Sequence, residues 1–292
     1  EMCIRDRYLQ SEEVEDLVYY HLTGKLPAVR GYDFMGVSSC KKTDDQVDRA
    51  IKWATQCGGI VTMCWHWYAP NDMDDYSKGS SFYYKTTDYD HKTCFDLCKG
   101  VTEGTAEYEF IIREIDMVSA ELKRMAQLDI PVLWRPLHEA NGNWFWWGNH
   151  NEQHREAYKK LWYMIFDRME NYHKLTNLIW VWNSQVPECY PGDDVVDIIS
   201  RDMYPPEHEH TSQSEMYYNL CEITSAKKIT IIGETGTLPC PEAVVSEKVG
   251  WSSYMTWSKP FCLTEKFNTF EQLKKVYNSE YAVTKDTLPD LY

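Results

Sequence analysis

Little in this sequence would carry it into a bilayer or onto a phosphate backbone. Its longest uninterrupted apolar run is six residues, 161–166 (LWYMIF), whereas a helical crossing needs about 20. Cations are short: 30 Lys and Arg stand against 45 Asp and Glu in 292 residues, a formal charge of −15. Nucleic-acid partners require clustered cations that displace counterions. No membrane span and no nucleic-acid partner are therefore expected. The N-terminus has neither a basic segment nor an apolar stretch behind it, so no signal peptide is visible. Phosphate-cradling turns of the G-x-G-x-x-G or G-x-x-x-x-G-K-[ST] type are missing, and so is the G-x-S-x-G elbow of serine hydrolases. Ten cysteines occur, but without the dense, regular spacing of a small disulfide-stapled domain. Cys94 and Cys98 have no second pair at zinc-site spacing, and His150 and His154 lack a third ligand nearby. Those two histidines are expected to be solvated, and His208 and His210 to sit in a polar loop. No metal and no cofactor are expected.

What the sequence has in excess is aromatic surface: 12 Trp, 21 Tyr and 9 Phe, or 14 % of the chain. Tryptophan outnumbering phenylalanine is the feature to explain. The length suits either two domains or one α/β barrel. Seven short runs rich in Val, Ile or Trp read as buried parallel strands: 28–35, 60–65, 130–135, 178–183, 195–202, 229–233 and 253–257. Helical patterns separate them, at 11–23, 43–56, 106–128, 152–173, 212–226 and 269–277. Ser11 and Thr43 suit the starts of the first two. Tyr158, Leu161, Trp162, Ile165 and Met169 form one apolar stripe on the fourth. This alternation implies a parallel sheet with right-handed crossovers. Because a helix precedes the first strand, the economical reading is a (β/α)8 TIM barrel lacking its first strand through N-terminal truncation. The first seven residues, EMCIRDR, fit neither period, so residues 1–10 are expected to be a non-native or disordered leader. Residues 11–292 then form the barrel. The stretch 68–103 is a long polar and aromatic loop, a length that usually signals function or mobility.

In a parallel barrel the reactive groups lie at the C-terminal ends of the strands. Those ends carry His66, His138, Glu139, Asn183, Tyr204, Glu234 and Trp257. Glu139 and Glu234 stand at the mouths of different strands, and an unpaired buried carboxylate is expensive. The plain alternative is that each forms a salt bridge at the rim, for instance to Arg135. Two carboxylates across one cleft suit glycoside hydrolysis, one protonating the leaving oxygen and the other attacking carbon or activating water. Sugar C–H faces also lie flat on indole and phenol rings. Trp144, Phe145, Trp146 and Trp147 follow Glu139 closely. Four aromatics in a row cannot all face one core, so some are expected on the loop surface.

The run WRPLHEANGNWFWWG from Trp134 to Gly148 resembles the acid/base signature of glycoside hydrolase family 26, the β-mannanases, and Gly233-Glu234-Thr235-Gly236 resembles that family's nucleophile strand. The similarity extends from about residue 11 to the C-terminus, through Gly31-Tyr32-Asp33-Phe34, Trp65-His66-Trp67 and Pro191-Gly192-Asp193-Asp194. It implies a (β/α)8 barrel with retaining chemistry, Glu139 as acid/base and Glu234 as nucleophile. It further implies that His138 orients the catalytic pair, and that His66, Trp144, Tyr204 and Trp257 line the subsites around the scissile bond. Tyr204 would donate to the nucleophile, and Trp257 would floor the −1 sugar. Ser258 stands where some members carry a sugar-gripping arginine. The expected activity is endo-β-1,4-mannan hydrolysis, on mannan, glucomannan or galactomannan, by a monomer that is secreted or at the cell surface. The alternatives are a lichenase or β-1,3-xylanase of the same family, or a non-catalytic carbohydrate-binding relic.

Overall fold

In the computed structural model, which describes residues 14–42 and 45–291, seven strands form one parallel sheet. They are β1 (Val29–Asp33), β2 (Ile60–Cys64), β3 (Val132–Arg135), β4 (Leu178–Asn183), β5 (Ile198–Met203), β6 (Ile229–Thr235) and β7 (Tyr254–Thr256). Each pairs with the next in chain order. Met63 lies level with Tyr32 and Trp134, and Trp134 with Trp180. Among the described residues no ladder joins β7 back to β1. Among the described residues the fold is a nearly closed barrel of the (β/α)8 type, with seven strands and a gap between β7 and β1. Burial follows the gap: four consecutive residues, Trp180–Asn183, are buried in β4, whereas β1 buries only Tyr32. A strand covered on both faces reads as a continuous apolar run, and a strand at an open edge does not.

Helices fill the outer ring. The helix Ala106–Ala126 starts at Thr105, whose hydroxyl accepts from the Tyr108 N–H, and carries acids in its first turn and bases in its last. The helix Glu152–Asp167 continues into a π turn, Arg168–Tyr172, and all five residues of its expected stripe are buried. Gln46–Lys52 likewise runs into a π turn, Trp53–Cys57, that ends at Gly58 with φ +66°. The caps expected at Ser11 and Thr43, and the expected leader, lie outside the described residues. The helices Leu97–Gly100, Pro241–Ser246 and Pro260–Leu263 have no counterpart in the sequence reading. At four to six residues they are too short to display a period.

At the gap, the helix Val14–Thr23 packs against the helix Phe270–Tyr277. Tyr19 stacks on Tyr277 with centroids 5.1 Å apart, and its hydroxyl lies 2.8 Å from Thr256 Oγ1. Asp16 pairs with Arg30 of β1. A cavity of about 850 Å³ follows the gap from Thr284 and Leu288 up to Asp33, Arg135 and Trp257.

The aromatic run after β3 corrects one expectation. Phe145, Trp146 and Trp147 are all buried, and only Trp144 is half-buried. The long loop folds over this segment: Tyr84 N–H donates to Trp144 O at 2.7 Å and Trp146 N–H to Phe82 O at 3.2 Å. The loop thereby creates a second interior above the barrel, so three rings in a row find apolar cover. His150 and His154 are also less solvated than expected, packing on Tyr84 with ring centroids 4.2 and 6.0 Å away.

Candidate active site

The cleft is organised around one buried cation. Arg135, the last residue of β3, donates from Nη1 to Asp202 Oδ2 at 2.8 Å and from Nη2 to Glu234 Oε1 at 2.5 Å. Tyr204 donates its hydroxyl to Glu234 Oε2 at 2.7 Å. Asn183 donates from its amide to Asp202 Oδ1 at 2.7 Å and to Ser200 Oγ at 2.9 Å. Glu234 lies within β6 rather than after it, because Gly233 is the extra residue of a bulge between β5 and β6. Such a bulge re-aims the side chain that follows it, here beside Asp202. A Cβ at Gly233 would lie 2.5 Å from Asp202 Oδ1 and 2.7 Å from Asn183 Nδ2. Gly233→Ala is therefore expected to part those two groups and lower stability by about 1–3 kcal/mol. Denaturant unfolding of the variant would measure it, and an unchanged midpoint would count against the packing described.

Glu139 approaches from the opposite wall. Leu137 and Glu139 hold φ of +52° and +55°, a left-handed region that costs a non-glycine residue free energy and persists only where neighbours enforce it. The neighbours are identifiable. Glu139 N–H donates to Asn183 Oδ1 at 2.8 Å, Trp147 Nε1 to His138 O at 2.9 Å, and Tyr158 to Leu137 O at 3.3 Å. Trp144 Nε1 donates to Glu139 Oε2 at 2.6 Å. One oxygen from each of Glu139, Asp202 and Glu234 lies within 4.8 Å of the other two. Such a trio could bind a cation, but the guanidinium of Arg135 already supplies the positive charge between two of them.

Burial, and next the charge of Glu234, push the Glu139 carboxyl above its ordinary value, against the opposing pull of Trp144, Arg135 and His66. Asp202 is pushed up too, by burial and by both glutamates. Its contacts with Arg135 and the Asn183 amide pull the other way and favour the anion. Although the Tyr204 ring is 46 % exposed, its hydroxyl is shielded in the cleft, and that shielding with the charge of Glu234 raises the phenol and keeps it a donor.

Behind the pair, His66 Nδ1 lies 2.5 Å from Asp33 Oδ2, and its Nε2 lies 3.3 Å from His138 Nε2. Trp257 flanks His66 at 6.1 Å between ring centroids. Ten of the twelve tryptophans are buried, and the two that are not, Trp144 and Trp257, both border this cleft.

The sequence matches glycosyl hydrolase family 26 over residues 8–287. The chain belongs to that family. It is 37 % identical to a mannan endo-1,4-β-mannosidase of Thermothelomyces thermophilus over 91 % of this chain and 54 % of that protein. The GH26-CBM35 β-(1,4)-mannanase of Podospora anserina superposes with a TM-score of 0.84 at 35 % identity, over 94 % of this chain and 61 % of that one. A β-mannanase from a symbiotic protist of the termite Reticulitermes speratus, complexed with a gluco-manno-oligosaccharide, superposes at 0.85 and 31 % identity, over 95 % of this chain and 85 % of that one. The chain spans about half the length of curated relatives that it matches.

Within this family 26 barrel the seven residues singled out from sequence converge. Glu139, Trp144, Tyr204 and Glu234 join through hydrogen bonds to the carboxylate pair, and His66, His138 and Trp257 form the adjoining wall. Arg135 and Asn183 were read from sequence only as a rim cation and a strand end, and Asp33 and Asp202 were not assigned a role. Asp202 had a signal, a carboxylate two residues before Tyr204 at the end of an apolar strand, which carries the same burial argument applied to Glu234.

Proposed function

We propose that residues 11–292 are the catalytic barrel of a retaining endo-β-1,4-mannanase, with Glu234 as nucleophile and Glu139 as acid/base. The observation that carries this reading is a pair of carboxylates with oxygens within 4.8 Å and unequal surroundings. Retaining enzymes hold their carboxyls about 5–5.5 Å apart, and inverting ones leave roughly 6.5–9.5 Å for a water. Glu234 is held by Arg135 and Tyr204, which orient it and stabilise its anion. Glu139 takes an indole N–H on its carboxyl, while burial and the charge of Glu234 favour its protonated form. Glu234 attacks the anomeric carbon as Glu139 delivers that proton to the departing glycosidic oxygen. Water then attacks the glycosyl–Glu234 ester from the vacated face, giving its proton to Glu139 and releasing the sugar with its original configuration. Trp257 and Trp144, the two half-buried indoles, offer stacking faces on either side of the scissile bond.

The pH dependence follows from the proton on Glu139. As the general acid it must be protonated, so activity falls as pH rises through its elevated pKa. The Trp144 N–H favours the carboxylate form. Trp144→Phe removes that donor and is expected to raise the pKa further, moving the basic limb of kcat/KM to higher pH. A limb that stays put or moves down would contradict this arrangement.

Mannan as the polymer is supported by the names of the relatives, and an uncharged chain suits a protein of formal charge −15. No helix of the described residues is long and apolar enough to cross a membrane. We place the protein outside the cell or at its surface, acting as a monomer. The deciding experiment is reducing-end release from β-mannan, lichenan and β-1,3-xylan, with the product anomer followed by NMR. Mannan cleavage with retention is expected. Exclusive lichenan or xylan cleavage would move the substrate, inversion would remove the mechanism, and no turnover would leave a binding relic.

A further inference from the structure

Asp33 is a carboxylate at the cleft floor that no step above employs. It ends β1, and both of its oxygens are engaged. Oδ1 accepts from the backbone N–H of Met35 at 2.8 Å and of His66 at 3.0 Å, and Oδ2 faces His66 Nδ1 at 2.5 Å. A carboxylate can only accept there, so His66 Nδ1 carries hydrogen. The far nitrogen of the same ring meets His138 Nε2 at 3.3 Å, and one of that pair must donate. His138 is buried, and its Nδ1 has no partner among the described residues.

We propose that Asp33 is a positioning residue for this cleft: it fixes the His66 ring as an imidazolium that donates to Asp33 on one side and to uncharged His138 on the other. The wall beside Glu139 and Glu234 then carries one stationed positive charge, instead of two histidines exchanging a proton. This rests on the glycosidase reading above.

The groups around His66 agree on the direction. Those facing it are Asp33 from β1, Cys64 from β2, Arg135 and His138 from β3 and its loop, Glu139, and Glu234 from β6. The rings of Phe82, Phe145 and Trp257 supply the rest of its cover. Burial alone would depress the His66 imidazole, but the charge and bond of Asp33, with Glu234 behind, more than offset this and Arg135, and raise it. Burial, then His66 and Arg135, hold His138 well below its ordinary value. The Asp33 carboxyl itself is lowered: burial opposes, and His66 outweighs it. These directions agree with a sequence of anion, cation and neutral ring.

The plainer role for Asp33 is to cap the short turn Phe34–Gly36 through the Met35 N–H. Asp33→Asn separates the two, because an amide oxygen still caps the turn while the charge is gone and the NH2 group faces His66 Nδ1. The test is a 15N-histidine NMR titration of the wild-type and D33N proteins, with kcat and KM on mannan across pH. Expected are a near-native unfolding midpoint, a His66 pKa that drops from above to below that of an ordinary histidine, and a fall of about 10- to 100-fold in kcat/KM, mostly in kcat. The deficit should shrink as pH falls and solvent protonates His66 unaided, which loss of a cap alone would not produce. A D33N protein in which His66 titrates as in the wild type overturns the proposal. Should D33N fail to fold, the wild-type spectrum decides: two ring N–H protons on His66 at neutral pH support the fixed imidazolium, and one overturns it. Absence of turnover by the wild type on every polysaccharide would sink the glycosidase reading, while the ring titration would still decide the charge on His66.

Discussion

Glu234→Ala is expected to reduce kcat on mannan by about 10⁴-fold or more, the scale reached when one member of a catalytic unit is removed. Glu139→Ala should cost less, about 10²–10⁴-fold on polysaccharide, and far less on an aryl mannoside whose leaving group needs no proton. The two variants also part by stereochemistry. With azide present and an activated donor, E234A leaves a space on the nucleophile's face that azide can enter. One displacement from that face inverts the anomeric centre and gives the α-azide. In E139A the glycosyl–Glu234 ester still forms, and azide then attacks from the opposite face as the second of two displacements, giving the β-azide. Chromatography and NMR of the glycosyl azides would check both. The same anomer from both variants, or E234A turning over mannan at a tenth of the wild-type rate, would sink the assignment. Stability should respond weakly to E234A, because Arg135 keeps Asp202 as its partner.

Much of this was legible in the residues. The strands β3 and β4 announce themselves because both faces are covered, so their apolar runs are continuous, and β4 has the bounds expected from sequence. The barrel end of each strand could then be read for reactive side chains. Boundaries differ by a few residues, as where the strand expected over 195–202 runs over Ile198–Met203 and Val195 ends a 3-10 turn. The tryptophan excess has two causes. Most indoles fill a core that the long loop extends above the barrel, and only Trp144 and Trp257 are left for the cleft. Less legible was the support. Asn183 works by pinning a strained Glu139 backbone, and Gly233 by bulging β6. Neither role is encoded in residue type, because each depends on what the adjacent strand brings level with it. The pairing of Arg135 with Asp202 and Glu234 spans 67 and 99 positions of chain, a separation no local pattern reports.

Arg135→Met is the substitution expected to damage the fold most. The side chains of Arg135, Asp202 and Glu234 are 3 %, 2 % and 5 % exposed. Removing the guanidinium leaves two carboxylates buried without their counter-ion, a change that typically costs about 3–5 kcal/mol. The pH dependence identifies the cause. Unpaired, the Asp202 carboxyl, already pushed up by burial and by both glutamates, loses the opposing pull of Arg135 and rises further, so its native form favours protonation. Stability of the variant is then greatest at low pH and declines as pH rises through that elevated value, so its deficit against the wild type widens toward neutrality. A deficit independent of pH would point to lost packing alone. Arg135→Lys keeps the charge, but a single ammonium cannot reproduce a fork that bonds two carboxylates in fixed directions, so an intermediate loss is expected. Adding Asp202→Asn to R135M removes one of the two stranded charges and should recover part of the loss. The two substitutions are thus less costly together than their separate effects predict. Urea unfolding of the four proteins at pH 5 and 7.5 would measure that coupling, and strict additivity would mean that the guanidinium does not hold the cleft's carboxylates in place.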